Sequence, residues 1–579
     1  MGRARLGLPG GIGFAIEERR GGGPPGPPRL GSERMTFGAG GGWAKGVLAT
    51  AVLVAVVAAG CGVESAQPRL PTDPPSAPPG SSSNDQSVGT MTRGPYLQHA
   101  DDGVTIVWYT DEPTEGRVRW QVDEATGEAA SSAGLATRHE AVISALRPGA
   151  RYTYRVYSGL GPLAAAGGAA EFSFRAPQPD VVRLVVFGDS GEASPGQHAV
   201  ARAIAAEPVP PDLVLIVGDV SQPPPSEPDP TAATEATYDA RFFAPYRTLL
   251  PAIPFYAALG NHDYEVEKGQ AYLDIFTLPR NGPPGRTPES AYWFERAGAL
   301  MIVHDTNQSP TSLLEEAVPW HDEVARRPAT FRFAFQHHPV YGSGPNAALY
   351  PSGPLREILA PLYTRSGVDV AFNGHDHLYE RTKPVGGVVY VTTGAGGAAL
   401  YPRATTNGFT AAFVNDRFSY TYLEVRDRTM TLRQTDADGQ TIDVFQITKP
   451  VVASDRLRAF AGAGSPPRGW DEVGFEDSSW PAAEPTAFAS ALRARGRFDL
   501  PRGGEAVQAW LRVRGVRDYA VRLNGVAVAR GDETAEAAFP VAPSLLRRGA
   551  NALTLEGTVD GTEGAAPSLE LSLVSSLPR

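Results

Sequence analysis

The sequence predicts a multidomain chain in which a β-sandwich is followed by an α/β core and then by a second β domain. Three observations predict this. At 579 residues the chain is too long for one hydrophobic core, since single domains cluster at about 100–200 residues. Between Thr92 and Pro177, and again beyond about residue 455, short alternating runs such as Val104-Thr105-Ile106-Val107-Trp108-Tyr109 are separated by turn residues, the pattern of β domains. From Val181 to about Lys449, strongly apolar strand candidates alternate with helical stretches at Gln197–Ala206 and Pro354–Arg365, the mark of a mixed α/β domain.

In chain order, residues 1–66 are an export segment. Val47 to Ala59 is an apolar run of 13 residues preceded by Lys45, which suits a secretory signal better than a spanning helix of about 20 residues. The ending Ala59-Gly60-Cys61 resembles the bacterial lipoprotein signal, in which the cysteine is lipidated. That implies a lipid anchor to the membrane at Cys61 and a protein facing the periplasm or cell surface. The alternative is a plain cleaved signal, hence secretion, or a short anchor with an incidental thiol. Residues 1–34 precede Met35 and resemble neither signal nor domain, as a misplaced start would leave them. With one cysteine, no internal disulfide framework exists. Residues 67–90 are dense in Pro and Ser, a solvated linker.

Residues 91–178 carry Leu146-Arg147-Pro148-Gly149-Ala150-Arg151-Tyr152, which resembles the corner before a late strand of fibronectin type III domains, where a tyrosine hydroxyl bonds back to the chain. At the other end, residues 455–579 contain Trp470, Phe475, Trp480 and the turn Asn524-Gly525. These resemble galactose-binding-like jelly rolls, in which Asn-Gly closes a hairpin and the tryptophans pack in the sandwich. The resemblance concerns fold; a structural or docking module and a glycan or envelope partner are both open for this segment.

The middle of the chain carries the chemistry. Five apolar strands each run into an abrupt polar cluster: Arg183–Phe187 into Gly188-Asp189-Ser190-Gly191, Leu213–Val217 into Gly218-Asp219, Phe255–Leu259 into Gly260-Asn261-His262-Asp263, Phe331–Phe335 into Gln336-His337-His338-Pro339, and Val368–Phe372 into Asn373-Gly374-His375-Asp376-His377. Seven of the ten histidines fall between His262 and His377. One Gly-Asp turn means little, but five clusters at strand ends predict a site on one rim of the core. Asp, Asn and His without thiolate suit borderline divalent or ferric ions. Two carboxylates, one amide and three imidazoles exceed one tetrahedral zinc and suit two metal ions sharing a bridge. The net charge of −11 argues against a nucleic-acid partner. It leaves small phosphorylated substrates open, because bound cations supply local positive charge.

This ordered set resembles the calcineurin-like metallophosphoesterases and, more narrowly, their purple acid phosphatase branch. In that branch a fibronectin-like domain precedes the catalytic one, and His377-Leu378-Tyr379-Glu380-Arg381 and Thr393-Gly394-Ala395-Gly396-Gly397 also fit it. The resemblance covers about residues 92–449. It implies that residues 180–449 form a core β-sandwich flanked by helices and hydrolyse phosphate esters, monoesters before diesters, by attack of a metal-bound hydroxide. It further implies two metal ions (Fe, Zn or Mn), with Asp219 bridging, Asp189 and His377 on the first and Asn261, His337 and His375 on the second. His262 would contact the phosphoryl group and protonate the leaving group, while His338 would pack behind the ligands. His198 and His321 read as surface residues on helices, and His304 as structural.

Two departures bear on activity. Gln222 stands where the branch carries the tyrosine whose phenolate binds ferric iron, so Gln222 is at best a weak metal ligand and the protein should be colourless. The loop Tyr341–Ala347 contains no histidine, whereas plant members bind substrate with one there. Both leave open a weakly active envelope protein that binds a partner through its β domains.

Overall fold

The computed structural model describes residues 89–159, 161–223, 234–347, 352–451, 457–460, 464–481, 492–500, 508–532, 537–559 and 568–577. The expected export segment with Cys61, and the linker up to residue 88, lie outside them. Among the described residues, no helix is long and apolar enough to cross a membrane.

Residues Met91–Arg175 build a six-stranded sheet around the long strands Gly103–Val122 and Ala125–Ser144. Register shifts between Tyr109 and Thr114 and between Glu115 and Arg117 let these strands bend, as bulges do, so the sheet wraps its own core of Trp108, Tyr154 and Val156. The anticipated corner is present: the Tyr152 hydroxyl accepts a hydrogen bond from the Arg147 backbone N–H at 2.9 Å.

The central region contains two sheets. In the first, Val181–Phe187, Leu213–Val217 and Phe255–Ala258 run parallel side by side. In the second, Ala299–Val303, Phe331–Phe335, Val370–Asn373 and Val389–Thr393 do the same. These strands are buried along almost their whole length, as parallel strands covered on both faces must be. They share one core in which Phe187 and Leu215 meet Met301 and Phe333. Helix Pro195–Ala205 starts where Ser194 caps the Gln197 N–H at 3.0 Å and Pro195 opens the first turn; it buries Val200 and Ile204. Helix Ser352–Ser366 packs Leu355, Leu359 and Leu362 on Ala334, Ala371 and Tyr390 of the second sheet. The five motif-bearing strands are thus divided, three on one sheet and two on the other, and their C-terminal ends meet across the sandwich.

The C-terminal region departs from the expected boundary at 449–455. Strand Ser568–Ser576 pairs on one side with Thr441–Val451 of the core and on the other with Gln508–Arg514, which pairs with Ala537–Val541. One nine-stranded sheet therefore runs without interruption from Phe255–Ala258 through Val181–Phe187 to Ala537–Val541. A five-stranded sheet, including Leu492–Leu500 and Gly549–Val559, faces its far end across a core of Leu511, Leu571, Val521 and Leu555. Asn524 and Gly525 turn a hairpin with φ of 52° and 83°, and Trp480 packs against Phe475 and Trp470.

His321 is not a surface residue. Helix Val318–Val324 turns it inward to full burial, where its Nδ1 lies 2.9 Å from His304 Nε2 and its Nε2 lies 2.8 Å from Ser366 Oγ. Burial holds His304 down to about 3 and lowers His321 as well, so two neutral rings share one hydrogen bond while the buried His304 Nδ1 has no partner. His198 is half-buried on its helix.

Candidate metal centre

Each cluster begins where a strand ends, and the backbone there is forced. Asp189, Asp219 and His375 have φ of 55°, 52° and 67°, a left-handed conformation that costs a non-glycine residue energy and concentrates at functional sites. The glycines before them allow close approach: a Cβ on Gly374 would lie 2.3 Å from Asp189 Oδ2, and one on Gly218 would strike the His337 ring at 2.3 Å. The segment Thr393–Gly397 clasps the first cluster, with Gly188 N donating to Thr393 O at 2.9 Å and Gly396 N to Gly188 O at 3.1 Å.

Asp219, His337 and His375 present ligand atoms that all lie within 4.8 Å of one another. His337 is buried, with Nδ1 2.9 Å from the Val217 carbonyl oxygen. That carbonyl can only accept, so Nδ1 carries a proton and Nε2 is the ring atom that faces inward. It lies 3.0 Å from Asn261 Oδ1 and 3.3 Å from Asp219 Oδ2. Nε2 thus faces two oxygens, and a proton on Nε2 or a metal cation in its place reconciles the three. His377 repeats the device: Nδ1 donates to the Ala399 carbonyl at 2.8 Å, and Nε2 lies 3.5 Å from Asp189 Oδ1. The His375 backbone N–H donates to both Asp189 oxygens at 2.9 Å, tying the first cluster to the last. All six residues named from the motifs, Asp189, Asp219, Asn261, His337, His375 and His377, therefore line one site.

Electrostatics agree with a cationic occupant. Burial opposes charge on His337, yet Asp219, helped by Asp189, raises its pKa to about 9; the position draws positive charge. Burial holds His375 near 3 and His377 near 4, neutral as ligating imidazoles must be. Asp189 is pushed up chiefly by burial, and also by Asp219, so a cation beside it would favour its ionised form.

Gln222 is 2% exposed. Its Nε2 donates to Glu192 at 3.2 Å and its buried Oε1 has no hydrogen-bond partner. Among the described residues the donor set therefore fits a pair of cations. His262 opens helix Asn261–Glu265 with its backbone N–H on Asp219 Oδ1 at 3.0 Å; its ring, 35% exposed, has Nδ1 3.3 Å from Glu265. His338 packs against the rings of His337 and His375, with Nδ1 2.9 Å from Thr306 Oγ1. In the histidine-free loop, Asn346 donates to the His375 carbonyl at 2.9 Å.

Two contributors were not foreseen. The buried Asp263 carboxylate accepts from the N–H groups of Val220, Ser221 and Gly260 and from the Tyr238 hydroxyl, locking the second and third clusters together. Its place beside His262 in the motif was the available signal. The Tyr401 ring stacks on His377 at 3.9 Å between centroids, and nothing in its local sequence marks it.

Residues 182–379 match the calcineurin-like phosphoesterase family. The chain is 24% identical over 336 residues to a nucleotide pyrophosphatase/phosphodiesterase of Hordeum vulgare, covering 48% of this chain and 87% of that protein. It is 24% identical over 435 residues to acid phosphatase type 7 of Homo sapiens, covering 63% and 93%. The solved purple acid phosphatase PPD1 of yellow lupin shares the fold with a TM-score of 0.52 at 20% identity, covering 62% of this chain and 74% of that one.

Proposed function

We propose that this chain, a phosphoric ester hydrolase whose central domain is a calcineurin-like phosphoesterase related to the purple acid phosphatases, cleaves small phosphomonoesters with the help of two cations. The observation that carries the proposal is the convergence of His337 Nε2, Asn261 Oδ1 and Asp219 Oδ2 on one buried point beside His375. Asp219 would be shared by both cations, Asn261, His337 and His375 would hold one, and Asp189 and His377, with Gln222 as a weak further ligand, would hold the other. The cation pair, when bound, supplies the Lewis acidity that activates water and neutralises the phosphoryl oxygens. His262, partly open to solvent and beside Glu265, donates a hydrogen bond to the phosphoryl group and a proton to the departing oxygen.

Hydrolysis of p-nitrophenyl phosphate and its bis-ester by protein reconstituted with iron, zinc or manganese tests this. The monoester should be the faster substrate. Asp219→Ala should abolish turnover, and His262→Ala should lower kcat by about 10²-fold, the scale of lost acid catalysis. Wild type no faster than Asp219→Ala on both substrates would sink the enzymatic reading in favour of a surface protein that binds a glycan or envelope partner through its β domains. Export and a lipid anchor at Cys61 belong to the same proposal; Cys61→Ser should move the protein from the detergent to the aqueous phase.

A further inference from the structure

Without Gln222, the first cation position has two donors of its own, Asp189 and His377, against three for the second, and one side chain touches the surroundings of both Gln222 and His377. The Glu192 carboxylate accepts from Gln222 Nε2 at 3.2 Å and from the Ala399 N–H at 3.4 Å. Ala399 is the residue whose carbonyl holds His377 Nδ1 at 2.8 Å. The neighbouring Ala398 N–H donates to the Asp189 carbonyl at 2.8 Å, and the Gln222 N–H to Gly191 O at 3.0 Å. A closed loop of hydrogen bonds thus joins the first cluster, the segment after the second, and the backbone that aims His377. The amide orientation of Gln222 follows from this loop: two acceptor oxygens cannot face each other, so the NH₂ group takes the Glu192 side. Oε1, at the opposite end of the amide from the NH₂ group, is left buried and unpartnered.

We infer that Glu192 is a positioning residue for the first cation: it turns the Gln222 amide so that Oε1 becomes a ligand, and through Ala399 it steadies His377. The anion that a tyrosinate would place in direct contact sits here one layer out, on Glu192, and acts through a neutral amide. Such outer partners commonly set metal affinity by about 10–100-fold. This rests on the two-cation reading of the site.

Zinc binding measured by equilibrium dialysis and elemental analysis, with thermal melting as a folding control, separates the two. Wild type should hold two zinc ions per chain; one or none would overturn the two-cation reading itself. Glu192→Ala and Gln222→Ala should each keep one ion at wild-type affinity and bind the other at least tenfold more weakly. Wild-type affinity for both ions in Glu192→Ala would overturn the inference and leave the two-cation reading intact. Glu192→Gln retains an acceptor oxygen and should restore most of the second ion; failure to do so would overturn a hydrogen-bonding role. Finally, Gln222→Tyr loaded with ferric iron should gain a visible phenolate-to-iron band that wild type lacks, and a colourless variant would show that position 222 does not face the cation.

Discussion

The two β regions that flank the core are joined to it by different physics. Among the described residues, the N-terminal region shares no sheet with the core. It is held by polar groups reaching across a packed boundary: the Tyr96 hydroxyl donates to Ile275 O at 2.7 Å, Tyr154 to Pro251 O at 2.8 Å, and Leu97 N to Leu250 O at 2.9 Å. Arg93 lies 2.6 Å from both Glu235 and Asp239, acids that are half exposed. The C-terminal region, by contrast, continues a core sheet strand by strand, and a buried quartet of charges crosses the joint. Lys449 lies 2.8 Å from Asp369 and 3.0 Å from Glu570, while Arg512 lies 2.9 Å and 3.1 Å from the same two acids. The first arrangement is a docked neighbour. The second carries one sheet across residue 450, where strand Ser568–Ser576 covers an edge that the core would otherwise expose, and residues on either side are expected to unfold together.

Substitutions can break this contrast or sharpen it. The largest effect is expected for Arg512→Ala, which strands two buried carboxylates against one lysine and should cost about 3–5 kcal/mol in urea denaturation. Core and C-terminal region should then still unfold in a single transition. Separate transitions would show that the continuous sheet does not couple them. Acid should act next. Burial raises the Glu570 carboxyl, but Lys449 and Arg512 outweigh burial and hold it well below the ordinary range. A carboxyl depressed in the folded state contributes stability above its unfolded value of about 4.3 and loses it as pH falls below that. Thermal melting should therefore drop below about pH 4, and less so in Glu570→Gln relative to its own neutral-pH value. The smallest effect is expected for Tyr96→Phe at the N-terminal joint, about 1 kcal/mol for one hydrogen bond; a loss as large as that of Arg512→Ala would erase the distinction between the two joints.

Much of the site was visible in the one-dimensional pattern because its chemistry is local. A buried parallel strand reads as an unbroken apolar run, and the glycine before Asp189, Asp219, Asn261 and His375 marks where the backbone must turn sharply or be approached closely. The Asn524-Gly525 hairpin and the Tyr152 corner are likewise short-range devices, and both appear in the fold. His321 misled for the complementary reason. Its neighbours Asp322 and Glu323 suggest a solvated face, but helix Val318–Val324 packs on the second sheet and His304 waits there to pair with it.

By itself, the sequence determined which residues stand at the ends of which strands, since strand period, glycine placement and side-chain chemistry are all written in neighbouring positions. The tertiary structure alone decided which edges join, that Asp369 and Lys449 would meet Arg512 and Glu570, and that Glu192 would tie Gln222 to the backbone holding His377. An apolar strand announces that both its faces will be covered. It carries no mark of the partner, tens to hundreds of residues away, that will take its free backbone groups, because that choice is made by the packing of whole layers.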